Sequence, residues 1–223
     1  MKHLFLEGPI QTGKSTLIQR VLNRWRETHE DFRVAGFQSQ RVTDEDGRTI
    51  AFRIGPVPGT SLSIGAKELD YDPETEPDPA SRGFFKCFTS RGVDVYQQVF
   101  DSLGVKYLRE AAASEPHVIL LDEIGGSELL CDGFRDELYR VLGGTVPCVG
   151  VIKAGMSAVR MNMSGKYRPG GRDNKTFMEY SADLRRDFKD RLLIADFESR
   201  DDSENVGELL ESFFAKCCEY RND

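Results

Sequence analysis

Long apolar runs are missing from this chain of 223 residues. None approaches the roughly 20 residues that a helix needs to cross a bilayer, so no membrane association is expected. The first residues reach an apolar strand almost at once and lack a secretory segment with a small-residue cleavage site, so a cytoplasmic protein is expected. Cysteine is sparse and odd in number: Cys87, Cys131, Cys148, Cys217 and Cys218, with no Cys-x-x-Cys pair. That argues against a disulfide framework and for reduced, mostly buried thiols. The three histidines, His3, His29 and His117, are not spaced as a metal-ligand set. Positive charge is in deficit, with 30 Lys and Arg against 37 Asp and Glu and a net charge of −7. This balance offers no broad footprint for a nucleic acid, and none is expected as a partner. It leaves room for a small phosphorylated ligand, because a phosphate cradle is local and made largely of backbone dipoles.

What the chain does have is Gly8-Pro9-Ile10-Gln11-Thr12-Gly13-Lys14-Ser15, followed by Thr16. Glycine, four residues, Gly-Lys and then Ser is the phosphate-binding loop pattern. Its flanks give it meaning. Leu4-Phe5-Leu6 reads as a buried strand, and Lys14 to Thr28 as a helix with Leu17, Ile18, Val21, Leu22 and Trp25 on one face. Between strand and helix, glycines turn the backbone so that its N–H groups meet phosphate oxygens at the helix N-terminus. Lys14 is expected at the β- and γ-phosphates, and the Ser15 hydroxyl on Mg²⁺. A second signal lies at Pro116-His-Val-Ile-Leu-Leu-Asp122-Glu123. This apolar run reads as a parallel strand buried on both faces, with two acids at its carboxyl end, where open α/β sheets place ligands. Asp122 is expected to hold Mg²⁺, directly or through water, and Glu123 to orient and deprotonate an attacking water.

Along the rest of the chain, apolar runs alternate with helical patterns, which predicts an α/β fold with a doubly wound, mostly parallel sheet. Residues 33–38 read as a second strand. Residues 40–43 and 48–54 read as an antiparallel hairpin turning at Asp46-Gly47. Arg41, Arg48 and Arg53 on it read as solvated, with contact to substrate the alternative. Residues 55–83 read as a long, partly mobile surface loop rich in proline and acids. Phe84 to Phe88 is a candidate strand. Asp94-Val-Tyr-Gln97 fits a capping box opening a long helix that Gly104 could kink. A helix over Phe134 to Leu142, a strand over Val146 to Ile152 with Lys153 at its end, a helix from Ser181 to Asp190, a strand at Leu192 and a terminal helix capped at Asn205 complete the pattern. Residues 155–175 are irregular and basic, and could form a lid over phosphates. No internal repeat or second core is visible, and residues 1–223 are read as one domain.

With both motifs in place, the chain resembles the P-loop nucleoside-triphosphatases first described from thermophiles, whose vertebrate member is called cancer-related. The resemblance runs in order through Gly8-Pro9, Gly13-Lys14-Ser15-Thr16, Ala35-Gly36-Phe37, Ile50-Ala51-Phe52, Arg91-Gly92-Val93-Asp94, and Leu121-Asp122-Glu123-Ile124-Gly125 with Glu128-Leu129 and Phe134. It implies a three-layer, RecA-like nucleotide-binding domain that hydrolyses ATP, GTP and other triphosphates with Mg²⁺. After Ile-Gly the family usually carries Lys or Pro and then Met; here Gly126 and Ser127 stand there. Two other classes of function stay open. A nucleoside or nucleotide kinase would need an acceptor pocket, for which no signature is legible. A nucleotide-gated binding module would use the acidic loop as a partner surface. No protein partner is indicated.

Overall fold

The computed structural model describes residues 2–57, 71–154 and 169–219. Among them eight strands form one sheet, in the order β5-β4-β3-β2-β6-β7-β1-β8. The strands are β1 (His3–Glu7), β2 (Val34–Thr43), β3 (Thr49–Pro56), β4 (Phe84–Thr89), β5 (Gly92–Val95), β6 (Val118–Ile124), β7 (Cys148–Ile152) and β8 (Leu192–Asp196). Strands β2, β6, β7, β1 and β8 run parallel, and β3, β4 and β5 add antiparallel pairs at one edge. This is an α/β fold with a mostly parallel sheet covered by helices on both faces, as the alternation of elements predicts. Strand β7 lies between β1 and β6.

Helices α1 (Lys14–Thr28) and α5 (Ser203–Glu219) cover one face of the sheet; α2 (Val105–Ala113), α3 (Asp132–Gly143) and α4 (Phe177–Asp187) cover the other. The sequence explains the layering. Along β6, Val118 and Leu120 pack with Leu17, Ile18, Leu22 and Phe214, while Ile119 and Leu121 pack with Leu108, Phe134 and Leu138. A strand apolar on both faces has to be covered on both. A third cluster under the hairpin edge joins Val42, Ala51, Phe84 and Cys87 with Tyr71.

Five expectations need correction. Residues 33–38 and 40–43 are one strand, β2; its first half pairs in parallel with β6 and its second half with β3. Asp94 does not open a helix: Gly92–Val95 is a strand paired with β4, and only beyond it does a π-helical segment, Phe100–Gly104, lead into α2. Pairing along β4 outweighs the local capping pattern. The helix expected from Ser181 starts at Phe177, where Thr176 and Glu179 form a complete capping box. The last helix is entered from a 3₁₀ turn, Arg200–Asp202, capped by Ser199, with Asn205 already inside the helix. The segment read as a surface loop is not wholly exposed, since Tyr71 is buried, stacks on Phe84 at 3.8 Å and shares a hydrogen bond of 2.8 Å with Cys87. Its residues 58–70, and residues 155–168 of the basic segment, lie outside the described residues. The hairpin turn is as expected, with Gly47 at φ +79° and its N–H donating to Asp44 at 3.0 Å.

His3 ties β1 to the end of α3 and the start of β7. It is fully buried; its Nε2 faces the Leu142 carbonyl at 2.9 Å, and Nδ1 accepts from the Cys148 N–H at 2.9 Å. Those partners select the neutral Nε2–H tautomer. Burial, helped by the nearby Arg191 charge, pulls its pKa from 6.5 down to about 4. The unfolded chain therefore takes up a proton before the fold does, and stability present above pH 6.5 is lost as pH falls towards 4. Chemical denaturation at pH 7 and pH 5 should show about 2 kcal/mol more loss in the native chain than in His3→Gln.

Candidate nucleotide site

The carboxyl ends of β1, β6 and β7 meet at one edge of the sheet, where ligands bind in folds of this kind. The loop after β1 begins at Gly8, whose φ of +150° belongs to glycine, and a Cβ there would lie 2.1 Å from the Phe197 carbonyl oxygen. Gln11 at φ +64° and Gly13 at φ +100° complete the turn. Gly8 and Lys14 are buried; Pro9, Ile10, Gln11 and Thr16 are exposed; Thr12, Gly13 and Ser15 are intermediate. No side chain caps the start of α1, and its first turn holds no acid. Its leading N–H groups are thus left to an anion. The Lys14 ammonium folds over the same loop, donating to the carbonyls of Gly8 (3.1 Å) and Pro9 and to the Thr12 hydroxyl (3.2 Å). Burial lowers its pKa, while Glu123, Glu198 and Asp122 work in the opposite direction.

The two sequence signals converge. Ser15 Oγ donates to Asp122 Oδ1 at 2.6 Å, across 107 positions of sequence. The pleat of β6 explains the meeting. Val118 and Leu120 face the α1 layer, and Asp122 continues that alternate series towards the first turn of α1. Asp122 is 2 % exposed, and burial pushes its carboxyl up to about 6 against the pull of the Ser15 hydrogen bond. One hydroxyl and one under-compensated buried carboxylate are hard oxygen donors, and they fit a small divalent cation. Among the described residues no cluster of His, Cys, Asp and Glu could cage such an ion alone. Phosphate oxygens and water would have to complete its shell.

Glu123 departs from the strand. Its φ is +68°, a strained value for a side-chain-bearing residue, and the β6–β7 register shifts between Leu121 and Ile124. The Lys153 ammonium, at the end of β7, lies 3.6 Å from Glu123 Oε2. Glu128 is buried beside them and accepts from the Gly126 N–H at 2.6 Å. A Cβ on Gly126 would come within 2.6 Å of Lys153 Nζ and 2.9 Å of Glu128 Oε2. The bare glycine therefore makes room for Lys153 to reach Glu123.

A family model described as NTPase matches residues 3–169. The chain belongs to that family. Among curated relatives, the cancer-related nucleoside-triphosphatase homolog of Mus musculus is 30% identical over 159 residues, covering 66% of this chain and 75% of its own. The nucleoside-triphosphatase THEP1 of Aquifex aeolicus is 29% identical over 147 residues, covering 62% and 70%. The crystal structure of THEP1 from that hyperthermophile superposes with a TM-score of 0.55 at 21% identity, over 95% of this chain and 99% of the other. The solution structure of a human cancer-related nucleoside triphosphatase gives 0.53 at 21% identity, over 96% of each. At this identity both structures speak to the fold alone. The family's chemistry is thus attached to a chain in which the loop and the acidic strand touch.

Several residues at the site escaped the sequence. Ser39 holds Asp122 from β2, its N–H on Oδ2 at 3.2 Å and its hydroxyl on the Asp122 carbonyl at 3.3 Å. Arg185 clamps Glu7 through both carboxylate oxygens at 3.0 and 3.1 Å and also donates to the Lys153 carbonyl at 2.9 Å. That fixes the ends of β1 and β7 together. No spacing rule links these residues; only the sheet order does. Of the basic segment, Arg172 pairs with Asp136, and Lys175 with Asp183 at 2.8 Å, on α3 and α4. Trp25 packs beside the α1–α5 core, stacked on His29 at 4.0 Å. No helix among the described residues is long and apolar enough to cross a membrane.

Gly8→Ala should displace the Phe197 carbonyl or the loop itself. The expected result is a lower melting temperature and at least a tenfold loss of triphosphate affinity, read by thermal unfolding and equilibrium titration.

Proposed function

We propose that the chain hydrolyses nucleoside triphosphates to the diphosphate and inorganic phosphate with Mg²⁺. The observation that carries this reading is the 2.6 Å contact of Ser15 with Asp122 beside Glu123. It supports one reaction centre made from a phosphate loop and an acidic strand end. The loop amides and Lys14 bind and neutralise the β–γ phosphates. Ser15 and Asp122 would hold the cation, which when bound would neutralise phosphate charge. Glu123 accepts the proton of the water as its oxygen bonds the γ-phosphorus; the bond from that phosphorus to the β–γ bridging oxygen breaks, and the diphosphate leaves. Lys153 orients the Glu123 carboxylate. Hydrolysis of triphosphates is what the names of the relatives describe; the base is left open. We further propose that residues 1–223 form one domain, since the single sheet draws strands from His3 to Asp196.

Phosphate release should be measured over the common triphosphates. Glu123→Gln should lower turnover about 10²- to 10⁴-fold while triphosphate affinity stays within a few-fold. Unchanged turnover would remove Glu123 from the reaction, and phosphate appearing only on an added acceptor would make the chain a kinase. Chelation of divalent cations should abolish release, with Mg²⁺ restoring it. Asp122→Asn should raise the Mg²⁺ concentration needed by at least tenfold; an unaltered requirement would refute its role.

A further inference from the structure

Two cavities among the described residues lie outside the proposed centre. The one nearer to it has a volume of about 270 Å³ and is lined by Gln38 and Gln40 of β2, Arg53 and the end of β3, Arg82 before β4, and Tyr107 of α2. It sits on the far side of β6 from the phosphate loop, because β2 and β3 follow β6 in the sheet while β1 lies beyond β7. It is next to the reacting centre all the same. Gln38 precedes Ser39, which holds Asp122, and it is bonded to Gln19, one helical turn after Ser15.

Two observations mark it as a ligand site. Gln38 is fully buried; its Oε1 accepts from Gln19 Nε2 at 3.3 Å, but its own Nε2 has no partner. An amide donor left buried and unpaired costs about 1–3 kcal/mol, and a turn of the side chain towards an acceptor in the cavity would recover it. The lining also carries two arginines. Arg53 is steered by a 2.7 Å bond from its Nε to Gln40 Oε1, and Arg82, which pairs with Glu76 at 2.6 Å, supplies a second guanidinium. None of the described lining residues is acidic. We propose that this cavity binds the phosphoryl or carboxylate group of a small organic anion, separately from the nucleotide. Gln38 Nε2 and the Arg53 guanidinium donate to its oxygens, the pairing that planar, multi-donor arginines favour.

The test is NMR of side-chain amide and arginine Nε resonances in the full chain, with inorganic phosphate and succinate as probes. Titrations are run in the native chain and in Lys14→Ala, which weakens the phosphate loop. The expected result is saturable shifts at Gln38 and Arg53 that survive Lys14→Ala and weaken at least tenfold in Arg53→Gln. Gln38→Leu, close in volume, should weaken them too without lowering the melting temperature. Saturation by phosphate alone assigns a phosphoryl ligand, by succinate alone a carboxylate, and by both an anion site of either kind. Shifts confined to Gly8–Ser15, shifts unaffected by both cavity variants, or no shift with either probe would overturn the site. Each outcome is independent of whether the chain hydrolyses triphosphates.

Discussion

The hydrogen bond between Ser15 and Asp122 is the contact on which the rest of this site depends. It needs β6 to stand at the right distance from α1, which needs β7 in place between β6 and β1. It needs Asp122 on the α1 side of the pleat, which follows from the alternation of Val118 and Leu120. A register slip of one residue would turn Asp122 to the other layer and part the two signals. The two large apolar clusters on either face of β6 hold that register.

Burial sets the electrostatics around this contact. Asp122 is nearly inaccessible and its carboxyl is raised to about 6, while burial shifts Lys14 downward. Both groups are held in a state that favours neutralisation, and each has a natural complement: a dication for the carboxylate, phosphate oxygens for the ammonium. Lys153 provides a different compensation, between Glu123 and the buried Glu128. Room for it comes from the missing side chain at Gly126, a local departure from the family pattern that the packing explains.

The elements whose signals are long were legible. The helix from Lys14 to Thr28, strand β6 and the Asp46-Gly47 hairpin stand where periodicity and turn chemistry put them. The misreadings fall where local and tertiary preferences compete. Asp94 sits in a capping pattern, yet its strand pairs with β4, because an edge with open hydrogen bonds outcompetes one cap. Thr176 and Glu179 form a real cap that a charged, weakly periodic stretch concealed.

For the site, the phosphate loop and the acidic pair could be named from the chain alone, because each is a contiguous run whose chemistry is tied to local backbone geometry. The unbroken apolar run from Val118 to Leu121 also predicted that Asp122 and Glu123 close a buried strand. Folding alone decided that these runs meet, that Ser39, Lys153 and Arg185 come in from other strands and helices, and that Gln38 is buried without a partner for its amide nitrogen. Those are relations between residues far apart in sequence. They depend on strand order and on which way each pleat faces, quantities that local propensity does not encode.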